Sequence, residues 1–496
     1  VAGQLDARLL RMGAIKEQYP PDALRERRVR RAAELAAHRF EVAVGVREHA
    51  NFHELVRDER SIERLYDAGC HTAGTHLHHR LFVVGEGAEV PALTAIELGE
   101  PHIERLVLTL GADNGEGFPV LHILYGVVGE GMGHATRSHV VLEHLARAGH
   151  EVRVVVSGRA HGFLLKRLGE FPNVTIEEIH GLTLSYFGNE LDRTQSVYQN
   201  LKKAPKAIKK NIEVYRRVAE SGFLPELVIS DFESWAALYA TRHGVPVISI
   251  DNMQIINRCQ HDQELVRAKG FDFELVRLAV KMKVPKAYHY LVTSFFFPPV
   301  RKKYTSLLPP ILRPEIVNLV AEPQSHVLVY QTQTTNQALV PTLKRLPWRF
   351  RVYGLGREGS DGNVTLCPFS EQRFVEDLRT ARAVVCGGGF SLLAEAVSLG
   401  IPTLSIPVVG QFEQELNARY LDALGYGAWA RRFEAGAIAG FLERAEDYRA
   451  ALGGGLPRGN AMLTEALDEL LARVARGEKR PVVLECATMG KWVGET

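Results

Sequence analysis

The stretch that most constrains the fold is "LHILYGVVGEGMGHATRSHVVLEHLARAGHEVRVVVSG", residues 121–158. An apolar run, a glycine-rich turn, an amphipathic segment of helical period and a second apolar run make one βαβ unit, with parallel strands buried on both faces. The same grammar continues through "NVTIEEI", "LVISD", "VPVISID" and "YLVTSFFF", then resumes in "HVLVYQTQ", "RFRVYGL", "NVTLCPF", "AVVCGGG" and "PTLSIPV". This predicts an α/β chain with two doubly wound, Rossmann-like domains over 118–318 and 319–496, and a ligand in the cleft between them. The last helices, "EAGAIAGFLERAEDYRAAL" and "AMLTEALDELLARVAR", are expected to close the second domain. Residues 1–117, with helical runs followed by the strand-like "RLFVV", "ALTAIEL" and "RLVLTL", read as a small α+β region ending in the linker "GADNGEGFP".

A length of 496 residues with 46% apolar content supports two or three cores. The formal net charge of +2 offers no global attraction for nucleic acid, so no nucleic-acid partner is expected. Five scattered cysteines without C-x-x-C spacing fit a reducing compartment, hence a cytoplasmic location. No apolar run reaches the length of a membrane span, and no secretory signal is present. The chain starts at Val1 rather than Met, so it can begin inside a longer reading frame.

In the first turn, Gly129, Gly131 and Gly133 allow close backbone approach and positive φ, and the following helix offers free N–H groups to an anion or a polar oxygen. A plain strand-to-helix corner would use the same glycines. The dinucleotide fingerprint G-x-G-x-x-G is not matched, and the second strand ends in "VVVSGR" without the ribose-binding acid, although Arg159 suits a 2′-phosphate and keeps a dinucleotide reading open. His134 sits where the turn enters the helix, placed either to act as a general base near neutral pH or simply to bond a nearby carbonyl. Arg137 lies one helical turn further on.

The second turn, "CGGGFSLLAEAVSLGIPTLSIPVVGQFEQELNARYL", has Gly387, Gly388 and Gly389 after a strand, Ser391 as a candidate helix cap, and Glu395 one turn beyond on the same face. Loop amides and the helix dipole can hold a diphosphate, and a carboxylate one turn along can accept from two ribose hydroxyls. Gln411, Glu413, Gln414 and Asn417 then supply polar groups suited to sugar hydroxyls.

Together "GEGMGHATRS" and the second turn resemble the GT-B glycosyltransferases related to the peptidoglycan N-acetylglucosaminyltransferase that forms lipid II, and within them a bacterial and archaeal branch known simply as glycosyltransferases. "LVISDFESWAALYATRHGVPVISIDN" and "SFFFPPVRKKYTSLLPPILRPEI" share the likeness, which covers about residues 120–475. The resemblance implies a GT-B fold with the acceptor on the first domain, facing the loop of Gly129, Gly131, Gly133 and Arg137, and a UDP-sugar, such as a UDP-N-acetylhexosamine, on the second. It implies Glu395 on the ribose, Gly387 to Gly389 and Ser391 on the diphosphate, Glu413, Gln414 and Asn417 on the sugar, Gln331, Thr332 and Gln333 over the phosphates, and backbone near Phe369 on the base. The G-E-G-M-G-H turn departs from the lipid II enzyme's G-G-T-G-G-H and leaves the acceptor open.

The sequence contains no D-x-D motif, so no carboxylate pair is evident for a divalent metal, and no cofactor is expected beyond the nucleotide-sugar substrate. Leaving-group charge then falls to backbone N–H groups, the helix dipole and a cation such as Arg357, in an inverting single displacement. His134 is the first choice of base and Asp231, at the end of "LVISD", the second; Asp231 can equally cap the following helix. Rival functions are a UDP-sugar 2-epimerase and a non-catalytic nucleotide-sugar sensor. The basic helix "NLKKAPKAIKKNIEVYRRV" is either a solvated face or a surface that docks on anionic lipid or a lipid-phosphate acceptor, with a peripheral position on the membrane; the acceptor stays open between a lipid-linked, a polysaccharide and a small-molecule one. "CHTAGTHLHHR", with His71, His76, His78 and His79, is either a polar surface turn or a metal site.

Overall fold

The computed structural model describes residues 119–478 except 130, 182–184, 188–189, 267–269, 332–336 and 454, together with two short strands at 79–82 and 95–98. The chain divides into two units, Val1–Phe118 and Pro119–Thr496. In the first unit the strands His79–Phe82 and Ala95–Leu98 pair antiparallel, at two of the three expected places. The third expected strand, the two helical runs and His71, His76 and His78 lie outside the described residues.

The second unit holds two lobes. In the first lobe seven strands form one parallel sheet: β1 (His122–Val127), β2 (Glu151–Ser157), β3 (Val174–Ile179), β4 (Leu227–Asp231), β5 (Val247–Asp251), β6 (His289–Thr293) and β7 (Thr305–Leu308), in the order β7-β6-β5-β4-β1-β2-β3. Strands β4, β5 and β6 are buried at every position, which their unbroken apolar and β-branched runs require. The chain leaves β1 to one side for β2 and returns on the other for β4, so the strand order reverses between β1 and β4. A crevice opens at the carboxyl ends of such a pair.

The second lobe repeats the device. Its strands are β8 (His326–Tyr330), β9 (Arg349–Tyr353), β10 (Gly359–Asp361), β11 (Val364–Leu366), β12 (Ala383–Cys386), β13 (Thr403–Ser405) and β14 (Gly427–Trp429), ordered β10-β11-β9-β8-β12-β13-β14. Only β10 runs antiparallel. Here the reversal falls between β8 and β12, and the triple-glycine turn follows β12.

Nine helices are needed below: α1 (Met132–Arg147), α2 (Arg159–Leu168), α3 (Arg193–Glu220), α4 (Ser234–His243), α5 (Gly270–Lys283), α6 (Glu371–Arg379), α7 (Phe390–Ser398), α8 (Phe412–Ala423) and α9 (Ala461–Ala475). The lobes meet through aromatic packing. Phe295, just beyond β6, stacks on Phe390 of α7 with centroids 5.9 Å apart, and Phe296 stacks on Tyr420 of α8 at 3.9 Å. The end of the strand-like run "YLVTSFFF" is thus the seam between lobes.

One expectation about the domains changes. Helix α9 buries Leu463, Ala466, Leu467, Leu470 and Leu471, an i, i+3, i+4, i+7, i+8 stripe, and this stripe joins the first lobe's core with Ile123, Tyr125, Val152 and Leu291. The second lobe therefore does not keep everything after residue 319, because the apolar face of α9 completes the first sheet. Leu467→Ala should cost about 2–5 kcal/mol and selectively lower hydrogen-exchange protection in β1 and β6, measured by urea titration and exchange mass spectrometry.

Candidate active site

The first lobe's crevice is built by strand register. Val127 at the end of β1 lies opposite Asp231 at the end of β4, so the turn after β1 passes over the Asp231 carboxylate. Gly129 is forced there by close approach: a Cβ at this position would stand 1.8 Å from the Ser157 carbonyl oxygen. Gly129, Gly131, Gly133 and Gly387 to Gly389 do not adopt positive φ; crowding rather than left-handed backbone calls for glycine at Gly129, Gly133 and Gly388, while Gly131 and Gly389 have open space beside them.

Helix α1 then presents His134, Arg137 and Ser138 on one face, at i, i+3 and i+4. His134 Nδ1 lies 2.8 Å from Asp231 Oδ1, and Ser138 donates to Asp231 Oδ2 at 2.8 Å. Asp231 is 2% exposed. Burial alone would raise its carboxyl, but the charge and hydrogen bond of His134, the Arg137 charge and the Ser138 hydroxyl outweigh it and hold the group below its ordinary range. An ionised Asp231 accepts from His134 Nδ1–H, which fixes that tautomer and leaves Nε2 as the basic nitrogen. Asp231 does not cap α4: Glu233 does, accepting from the backbone N–H groups of Trp235 and Ala236 at 2.9 and 2.7 Å. Phe232 between them has φ 56°, a left-handed conformation unusual for a bulky residue, located where the chain turns from carboxylate to cap.

In the second lobe Gly388 is again dictated by space, since a Cβ would lie 2.3 Å from the Gln414 carbonyl oxygen. The Gln414 side chain accepts from the N–H groups of Gly388 and Val408 at 3.2 and 3.1 Å and also bonds Gln411. Asn417 donates to the Gly388 carbonyl at 2.9 Å and to Glu413 at 2.7 Å. Helix α7 begins at the N-cap Gly389 with no side-chain cap, so Ser391 is not the cap that the sequence suggests. Glu395 is buried and held in a two-pronged ion pair by Arg313, with both contacts at 2.8 Å. Burial opposes the Arg313 charge, yet Glu395, Glu371 and Glu315 hold the guanidinium above its ordinary value. Arg313 also reaches Glu371 at 3.3 Å, and Glu371 pairs with Arg167 of α2. Gln331, after β8, is buried, and among the described residues its Oε1 has no hydrogen-bond donor. Phe369 is exposed and tilts against Phe374 at 6.2 Å. Arg357 is exposed in the loop after β9, and Thr332 and Gln333 lie outside the described residues.

The two crevices meet. Arg137 donates to Ser391 Oγ at 3.1 Å and to Asn252 Oδ1 at 2.9 Å, and Asn252, after β5, donates to Glu413 at 3.0 Å. The lobes touch so closely that a Cβ on Gly133 would stand 2.4 Å from Ser391 Oγ. Arg137, whose Nη2 also lies 3.2 Å from His134 Nδ1, thus connects the His134–Asp231 pair to the triple-glycine turn.

Comparison with known proteins assigns the fold and the class. The profile of glycosyl transferase family 1 matches residues 121–445, which include both crevices. The chain belongs to that family. The glycosyltransferase is 28% identical over 339 residues to an uncharacterized glycosyltransferase of Methanosarcina acetivorans, covering 62% of this chain and 85% of that one. Its GT-B fold is shared with a UDP-glucosyltransferase of Polygonum tinctorium capable of glucosylating indoxyl (TM-score 0.51, 15% identity, 72% of this chain and 99% of that one). A UDP-glucose:anthocyanidin 3-O-glucosyltransferase matches equally well (TM-score 0.51, 16% identity, 71% and 99%).

Of the residues expected from sequence, His134, Asp231, Arg137, Ser391, Glu413, Gln414, Asn417 and the glycines gather in this glycosyltransferase's cleft. Asn252 and Arg313 were not anticipated. Both stand in stretches that carry the family likeness, but only the fold brings Asn252 to Glu413 and Arg313 to Glu395.

Asp251, at the end of β5, is a second buried carboxyl beside this cluster. Burial pushes it up to about 6, aided by the Asp231 charge and opposed by hydrogen bonds from Ser249 and the Gln254 N–H. With the folded value above the unfolded one, the native state holds the extra proton between about pH 4 and pH 6, and stability falls as pH rises through that window. Asp251→Asn should therefore leave Tm nearly unchanged at pH 4 and gain on the order of 1 kcal/mol by pH 7, read from thermal melts across pH.

Proposed function

We propose that this glycosyltransferase moves a hexose or N-acetylhexosamine from a UDP-sugar to an acceptor hydroxyl in one inverting, metal-independent displacement. The acceptor proton passes to His134 Nε2, its oxygen bonds the anomeric carbon, and the bond from that carbon to the diphosphate breaks with the electron pair leaving on UDP. The observation that carries this proposal is the His134–Asp231 pair at the first lobe's switch point, linked by Arg137 to Ser391 beside the second lobe's glycine turn.

On the donor side, each Glu395 oxygen accepts one bond from Arg313 and keeps a further lone pair, enough for two ribose hydroxyls. Glu413, Gln414 and Asn417 face the sugar, and the unpaired Gln331 Oε1 offers an acceptor to a donor group on the ligand. The uridine diphosphate itself follows from the likeness of the "GGGFSLLAEAVSLGIPTLSIPVVGQFEQELNARYL" stretch to the lipid II branch.

On the acceptor side, α3 exposes Tyr198, Leu201, Ile208 and Ile212 along one stripe beside Lys202, Lys206 and Lys209, and α5 exposes Leu275, Leu278 and Met282 beside Lys281. The two helices flank the start of α4: Trp235 donates to the Asn211 carbonyl at 3.2 Å, and the Lys283 ammonium lies 5.4 Å from the Phe232 ring centre. Apolar stripes with basic borders next to the base suit a lipid-linked acceptor met at an anionic membrane. No helix among the described residues is long and apolar enough to cross one.

A thermal-shift screen of nucleotide sugars should single out a UDP-sugar, since a ligand at about 100 times its Kd adds about 2.7 kcal/mol. With that donor, His134→Ala should lower kcat about 10²–10⁴-fold, and Asp231→Asn by about 10²-fold or more, with donor Kd little changed. Wild-type turnover in His134→Ala, or an epimerised sugar formed without acceptor, would remove this mechanism. Flotation with vesicles containing anionic phospholipid should recover the protein, and Leu201→Asp with Ile208→Asp should reduce recovery several-fold; equal binding to neutral vesicles would refute the charge requirement.

A further inference from the structure

On the basis of the transfer reaction above, we propose that Arg137, a residue of the acceptor lobe, is the cation that neutralises the departing diphosphate. Arg137 is 5% exposed, and its hydrogen-bond partners are the uncharged Ser391 and Asn252. Among the described residues it forms no ion pair; Asp231 and Glu413 feel its charge without contacting it. A buried guanidinium without a counter-ion is costly, and an anionic ligand removes that cost.

Its position selects the anion. Nη1 lies 3.1 Å from Ser391 Oγ, in the first turn of α7, whose N-terminus has no side-chain cap and so presents free N–H groups to the same space. Nη2 stands 3.2 Å from His134 Nδ1. Both are N–H groups when Nδ1 donates to Asp231, so this is an approach of two donors rather than a bond. Arg137 therefore stands between the His134 imidazole and the turn proposed to hold the diphosphate.

As the bond from the anomeric carbon to the β-phosphate oxygen breaks, the electron pair stays on that oxygen and adds a negative charge to UDP. The guanidinium balances that charge, and the same closed contact to Ser391 couples neutralisation to the meeting of the lobes. Arg357, the cation suggested by sequence, is exposed in a loop and has no such placement.

The test compares UDP with UMP by titration calorimetry on the full chain, in wild type and Arg137→Met. Wild type should prefer UDP, and the variant should lose about 10-fold to 100-fold in UDP affinity while UMP binding changes less than about threefold; kcat should fall about 10²–10³-fold. Arg137→Gln, which keeps donors for Ser391 and Asn252 but not the charge, reads the same ratio if the methionine variant does not fold. An unchanged UDP to UMP ratio in a folded neutral variant overturns the role of Arg137 alone. Failure of the wild type to bind UDP or any other nucleoside diphosphate overturns the proposed transfer reaction and this role with it.

Discussion

The site depends on one registration: Val127 opposite Asp231 across β1 and β4. Because the chain winds away from these two parallel neighbours toward opposite edges of the sheet, a crevice opens at their carboxyl ends, and the turn after β1 folds over the end of β4. That brings the His134 imidazole onto a buried, ionised carboxylate. A one-residue slip would turn Asp231 to the other face of the sheet and leave the imidazole without its orienting partner.

The second lobe repeats the topology with different chemistry. Its reversal between β8 and β12 opens onto backbone amides and an uncapped helix rather than onto an acid and a base. In the proposed transfer the first lobe moves the proton and the second holds the anion. Aromatic stacking of Phe295 and Phe296 on Phe390 and Tyr420 holds these complementary crevices face to face, and helix α9 ties the end of the chain back to the first sheet.

Polar side chains of the two lobes satisfy one another in the closed cleft. Arg137 and Asn252 bond Ser391 and Glu413, and Arg313 occupies Glu395 while reaching, through Glu371, toward Arg167 of the first lobe. The groups expected to contact the donor are thus linked to the first lobe through these hydrogen bonds and ion pairs.

Much of this was legible in the sequence. Local periodicity and glycine turns determined the two doubly wound lobes, the His134 and triple-glycine turns, and Glu395 one helical turn past Ser391, because strand burial and helix pitch act over neighbouring residues. Other features required the tertiary structure: that Asp231 orients His134 instead of capping α4, that Ser391 bonds Arg137 instead of capping α7, that α9 belongs to the first sheet, and that Asn252 and Arg313 complete the cleft. These depend on contacts between residues dozens to hundreds of positions apart, and a carboxylate or a guanidinium chooses its partner by distance and burial, which no local pattern encodes.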